Sequence, residues 1–207
     1  MDRLLSGETL DAFAGRLASK DAVPGGGGAA ALCGALGAAL GAMASRLSAP
    51  GREAAFSLLI SRADALREKL LRLIDEDAAG FAPLAAAYAI PKDAPGRAQT
   101  LCEATLTALA APTEMLRCAA ETVGLLEELL PKCKKLLLSD VGCAAALAEG
   151  TLRAAAMNVW VNTRTLPADR RGPIEREAEE LLKNGTARAA AVYAAVETRL
   201  REEQSQR

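Results

Sequence analysis

Histidine is absent from this 207-residue chain. That removes the commonest acid–base group at neutral pH and the commonest metal ligand. Aromatic residues are scarce, at 3%, although 51% of the chain is hydrophobic. The core must therefore be built from Ala and Leu, both strong helix formers, and the β-branched residues that favour strands are few. An all-α protein is predicted. The chain also lacks a charge imbalance: 25 Lys and Arg stand against 26 Asp and Glu, with no block of one sign. This leaves no electrostatic footprint for nucleic acid or an anionic membrane surface. The cysteines, Cys33, Cys102, Cys118, Cys133 and Cys143, are odd in number and have no paired spacing. They predict buried free thiols in a reducing, cytoplasmic compartment, with no metal motif.

The opening MDRLLSGETLDAF lacks the basic and apolar pattern of a signal peptide. Ala22–Met43 has roughly the length of a membrane span. Its Ala and Gly residues give weak transfer energy, so a buried helix is predicted there instead.

The breaks in the pattern predict the elements. A first helix covers Thr9 to Ser19, with Leu10, Phe13 and Leu17 on one side, and VPGGGG ends it. A second runs from Gly27 to Ser48 and stops at APG. A third starts near Glu53 and keeps helical spacing through Leu58, Leu59, Ala63, Leu66, Leu70, Leu73 and Ile74, with Pro83 expected to kink or interrupt it. IPKDAPG is a loop. A fourth follows from Arg97 to Leu129, with a kink at Pro112. Ser139 or Asp140 can cap a fifth helix reaching Arg164. LPADRRGP reads as a loop, and Pro173 as the first residue of a last helix to Arg199, after which the tail should fray. One domain is predicted, a bundle of five to seven helices, some long and kinked.

Three groups of residues stand out from this apolar pattern. Leu66, Leu70, Leu73, Asp77, Phe81 and Leu84 lie on one helix face. Asp75 and Glu76 fall on its flanks, so DED is two solvated carboxylates and one aimed inward. Asp77 is then either an exposed edge charge near Pro83 or a cleft carboxyl with a raised pKa, suited to proton transfer. On the fifth helix Asp140, Ala144, Leu147, Thr151, Ala154, Asn158 and Asn162 follow one line. Asn158 and Asn162 either satisfy a neighbouring helix end or grip a flat heterocycle rich in donors and acceptors. Gly25, Gly26, Gly27 and Gly28 either form a turn that lets helices approach, or expose backbone N–H groups at a helix start. They match no nucleotide-binding fingerprint.

The segments LDAFAGRLASKDAVPGGGGAAALCGALGAALGAMASRLS, LIDEDAAGFAPLAAAYAIPKD, SDVGCAAALAEG and AAAMNVWVNTRTL resemble the cyclodeaminase/cyclohydrolase family of folate-converting domains. The P-G-G-G opening with G-A-L-G-A-A-L-G-x-M is the most specific part, supported by D-x-x-x-F-x(9)-P-K. The likeness covers nearly the whole chain, so residues 1–207 read as one such domain. It implies an all-α homodimer acting on one-carbon units between two nitrogens of tetrahydrofolate, without metal, nucleotide or prosthetic group. The implied reaction converts 5-formiminotetrahydrofolate to 5,10-methenyltetrahydrofolate and ammonia. The alternatives are hydrolysis of the methenyl compound to 10-formyltetrahydrofolate, or a non-catalytic folate-binding dimer. The resemblance puts the catalytic carboxyl at Asp77 and the polar substrate positions at Asp140, Asn158 and Asn162. Lys92, Lys134 and Lys135 are in loops that can offer cations to the glutamate tail. Two features depart from the family: Gly28 stands where Ser is common, and KCKKLLLSD replaces a Gly-Asn lead into the SD element. Both bear on the substrate rather than on the fold.

Overall fold

The computed structural model describes residues 4–205. Six α-helices follow one another: α1 (Leu10–Leu17), α2 (Gly26–Ser48), α3 (Glu53–Tyr88), α4 (Arg97–Leu129), α5 (Leu138–Thr163) and α6 (Ala168–Ser205). Short 3-10 turns occupy Leu5–Gly7 and Lys135–Leu137. Among the described residues there is no strand, as the composition predicts.

Helix α2 packs against α3, α4 and α5, while α6 lies along α4 and α5. The small residues of α2 make this possible. A β-carbon on Gly34 would stand 3.0 Å from Thr151 Cγ2 and 3.1 Å from a Leu70 methyl. One on Gly37 would stand 3.3 Å from the Ala144 carbonyl oxygen. Any larger side chain would push the three helices apart. Gly26 meets Asn158, Gly34 meets Thr151 and Gly37 meets Ala144, so α2 and α5 are antiparallel. Gly27 meets Asp77 and Gly34 meets Leu70, so α3 is antiparallel to α2 as well. Consequently α3 and α5 run parallel, and their C-terminal halves flank the start of α2.

Beneath this contact lies the core. Phe56, Leu70, Met115, Leu116, Leu126 and Leu152 are fully buried, each contributing about 1.5–3 kcal/mol relative to exposure. An 18-residue window of α2 has mean hydropathy 1.6, enough by length and composition to cross a membrane. In the structure 61% of that window is buried against the other helices.

The structure corrects several expectations. Helix α3 runs unbroken through Pro83. Both Pro83 and Ala79, whose carbonyl loses its ladder partner, are exposed, so the freed carbonyl is on the solvent side of the helix. Helix α4 is also continuous through Pro112, with the bounds the sequence predicts. The expected loop before Pro173 is helical from Ala168 onward. The Arg171 N–H donates to the Pro167 carbonyl at 2.9 Å, and a proline so near the start removes a single ladder bond. The helix also continues past Arg199 to Ser205, and the last two residues of the expected frayed tail fall outside the described residues. Neither Ser139 nor Asp140 caps α5, because the 3-10 turn feeds straight into it and leaves both within the first turn. On α1 only Phe13 is buried, whereas Leu10 and Leu17 are exposed. All five cysteines are free, but only Cys118 is buried, and Cys143 is exposed. Burial pushes the Cys118 thiol up to about 11.

Candidate active site

Four glycines are a poor way to begin a helix, since each loses more backbone freedom than any other residue. Gly25 occupies the N-cap of α2 and has no side chain to accept from the free N–H groups of the first turn. Asp77 supplies that function from α3. Its carboxyl sits against Gly27, and the Gly28 N–H donates to it. A β-carbon on Gly27 would overlap both carboxylate oxygens and stand 2.5 Å from Asp77 Cγ. Glycine at 27 is therefore a steric requirement of the carboxyl's position.

Burial raises the Asp77 pKa above its ordinary value, and the Gly28 hydrogen bond partly opposes the shift. Of the two readings of Asp77, the inward one describes the structure. The carboxyl opens onto a cleft of about 290 Å³, whose lining includes Gly25, Gly26, Gly27, Asp77, Asn158 and Asn162. Residues far apart in sequence thus meet at one place.

On the facing wall, Asn158 Nδ2 donates to the Ala154 carbonyl at 2.8 Å, and Asn162 Nδ2 to the Asn158 carbonyl at 2.9 Å. Each amide group uses one of its two N–H donors on its own helix. The Oδ1 atoms are left as acceptors on a cleft wall. With the second N–H of each amide beside them, they suit a ligand that presents both donors and acceptors along one edge.

The Ala22–Gly25 loop closes the cleft from the α1 side. Arg16 holds it, donating to Glu8 Oε1 at 2.7 Å and to the Val23 carbonyl at 3.4 Å. Phe13 and Pro24 pack under Gly28.

Several expected site residues fall elsewhere. Gly28 does not line the cleft; it faces Pro24, Phe13 and Ile74, and only its N–H reaches Asp77. Asp140 is in the first turn of α5, about 27 Å of helix from Asn158. The helical line that joins them runs beneath α2, where Thr151 and Ala144 are fully buried. Lys134 and Lys135 belong to that same far end, whereas Lys92 follows the end of α3, four residues beyond Tyr88 at the cleft. Phe81 and Leu84, on the same helix face as Asp77, line the cleft with Tyr88, Ala108 and Val161; Leu84 is at the same time buried against Ala104 and Ala108, whereas Phe81 is exposed to the opening. Their spacing from Asp77 was the available signal, since all of α3's cleft residues continue its face.

The chain has counterparts among known proteins. The family model described as formiminotransferase-cyclodeaminase matches residues 9–180. The chain belongs to this family. It is 35% identical over 204 residues to methenyltetrahydrofolate cyclohydrolase of Methylorubrum extorquens, covering 93% of this chain and 98% of that protein. It is 30% identical over 202 residues to formimidoyltransferase-cyclodeaminase of Rattus norvegicus, covering 92% of this chain but 37% of the rat protein. The crystal structure of formiminotetrahydrofolate cyclodeaminase from Thermotoga maritima superposes with a TM-score of 0.80 at 23% identity, covering 96% and 98% of the two chains. It has the same fold.

Proposed function

We propose that the chain is an enzyme of tetrahydrofolate one-carbon chemistry, and that Asp77 moves the proton. The observation that carries this reading is the half-enclosed Asp77 carboxyl, with its raised pKa, at the start of α2 and across from two amide acceptors. The one-carbon unit bridges two folate nitrogens through a tetrahedral adduct. In deamination, the leaving ammonia must depart protonated, and a carboxyl held toward its acid form supplies that proton. As carboxylate it then lies beside the methenyl cation, with the α2 N-terminus already stabilising its charge. Conversion of 5-formiminotetrahydrofolate to 5,10-methenyltetrahydrofolate is therefore the first reading.

Hydrolysis of the methenyl compound to 10-formyltetrahydrofolate is the second. It is favoured by the cyclohydrolase relative, which matches this chain over nearly all of both lengths. Water attack builds the equivalent adduct with oxygen in place of nitrogen, and Asp77 accepts the proton from the water. Offering each folate separately distinguishes the two readings. The methenyl absorbance rises if the chain deaminates and decays faster than its spontaneous rate if it hydrolyses. No change with either substrate rejects the enzyme reading.

Asn158 and Asn162 are assigned to the pterin edge, where neutral amides bind but do not transfer protons. Asn158→Ala is expected to weaken folate binding about 3- to 10-fold, the value of one ordinary hydrogen bond, with the melting temperature nearly unchanged. Titration calorimetry and thermal melts check this; intact affinity with a lowered melting temperature would make the asparagine structural. Lys92 is the cation assigned to the glutamate tail.

The family resemblance also supports a homodimer in a cytoplasmic setting. Leu36, Met43 and Leu47 leave an exposed apolar row on α2, and Met157 and Val161 do so on neighbouring α5. A second copy covering α2 removes this row from water. Light scattering at micromolar concentration should give twice the 21.4 kDa chain mass, and a monomer there would sink the dimer.

A further inference from the structure

The chain has two tyrosines, three phenylalanines and one tryptophan. Phe81 and Tyr88 both line the one cleft that holds Asp77. They are 38% and 48% exposed, in contrast to Phe13 and Phe56, which are buried. A protein this poor in aromatics has set two of them, uncovered, on the wall of its candidate site. Both continue the helix face that carries Asp77. Phe81 is one turn on, about 6 Å along α3, and Tyr88 about 16 Å.

The walls of the cleft also differ in chemistry. The α5 wall and the glycine loop carry the hydrogen-bonding groups: Asn158, Asn162 and the backbone of Gly25–Gly27. Beyond Asp77 the α3 wall carries Phe81, Leu84 and Tyr88. A folate divides the same way. Its pterin edge is dense in donors and acceptors. Its p-aminobenzoyl ring has two bare faces and is attached directly to one of the nitrogens that hold the reacting carbon.

Resting on the folate reading above, we propose that Phe81 and Tyr88 form the subsite for the aryl arm. Phe81 stacks on the p-aminobenzoyl ring, and Tyr88 covers the arm farther toward the mouth. With the pterin held on α5 and the aryl ring held on α3, the carbon between them is fixed at the level of Asp77. The pair then selects for a ligand carrying a planar arm over a free pterin.

The test compares two ligands by titration calorimetry: tetrahydrofolate, and a tetrahydropterin that lacks the aryl arm. Phe81→Leu keeps apolar volume and removes the aromatic face. It is expected to weaken tetrahydrofolate about 3- to 10-fold, the range of an aromatic pair, and to leave tetrahydropterin within about 2-fold. Tyr88→Ala, at a half-exposed position, should show the same selectivity with a smaller loss. It keeps the test intact if the substitution at 81 disturbs folding. Equal weakening of both ligands would place the pterin on α3 and overturn the assignment. Unchanged affinity for both would leave the aromatic pair without a role. A wild-type protein that binds neither ligand rejects the folate reading as well. A wild-type protein that turns over folate while the variants bind normally rejects the aryl subsite alone.

Discussion

Asp77→Asn lowers turnover at least about 100-fold on whichever folate the chain converts, while the ligand still binds. Asparagine preserves the shape of the carboxyl and its acceptor for the Gly28 N–H, and removes only the proton that titrates. Stability is expected to move the other way. Burial raises the Asp77 pKa in the folded state. The stabilisation it gives is therefore complete below the unfolded carboxyl's pKa and is lost as pH rises through the folded one. Above the folded pKa the wild type carries a desolvated charge that the amide avoids, so in that range the variant should melt no lower than wild type. Asp75→Asn, which keeps one of the two acceptor oxygens that Ser6 uses, and Glu76→Gln, at an exposed site, should leave turnover nearly unchanged. Stopped assays with thermal melts check all three. Near wild-type turnover in Asp77→Asn would reduce Asp77 to a cap for α2.

Gly27→Ala should abolish activity to a similar degree and, unlike the change at 77, cost stability. The added methyl would take the space of the Asp77 carboxyl, so either the carboxyl swings away or the first turn of α2 unwinds. Overpacking of this kind costs about 1–3 kcal/mol. The source of the strain can be isolated by a double-mutant cycle. If the clash is with Asp77, Gly27→Ala destabilises the wild type but has little effect when Asp77 is already alanine. Denaturant melts of the four proteins measure this coupling. An equal penalty in both backgrounds would mean that Gly27 serves the backbone rather than the carboxyl.

The helices were legible because their breaks are chemical. Pro and Gly clusters end α2 and α3, and α4 begins and ends as the sequence predicts. Asp77 was legible because one charged residue in a leucine face is costly to bury and so needs a reason. Asp140, which the resemblance grouped with Asn158, is not at the cleft. The helical line that they share could not show this, because periodicity gives the angle around a helix and says nothing about distance along it. Asp140 sits at the opposite end of α5. Phe81 and Leu84 share the Asp77 face of α3, yet Phe81 is exposed to the cleft and Leu84 is buried. A continuous apolar face shows which way residues point, and whether they meet another helix or an opening depends on where the neighbouring helix stops. Leu10 and Leu17 kept the right spacing on a helix too short to bury a stripe. The α6 start was missed because proline is favoured in a first turn yet tolerated slightly beyond it.

The cap that Asp77 places on α2 has a kinetic consequence. Gly25–Gly28 cannot nucleate a helical turn, and the group that satisfies it arrives from α3, roughly half a hundred residues later in the chain. Local order in this stretch must wait for long-range docking, which sets it outside the folding nucleus. Substitutions at 27 and 77 should therefore act on the unfolding rate and barely on the folding rate. On this reading the cleft is expected to take shape late in folding and to loosen early in unfolding, which hydrogen exchange at Gly26–Gly28 would measure.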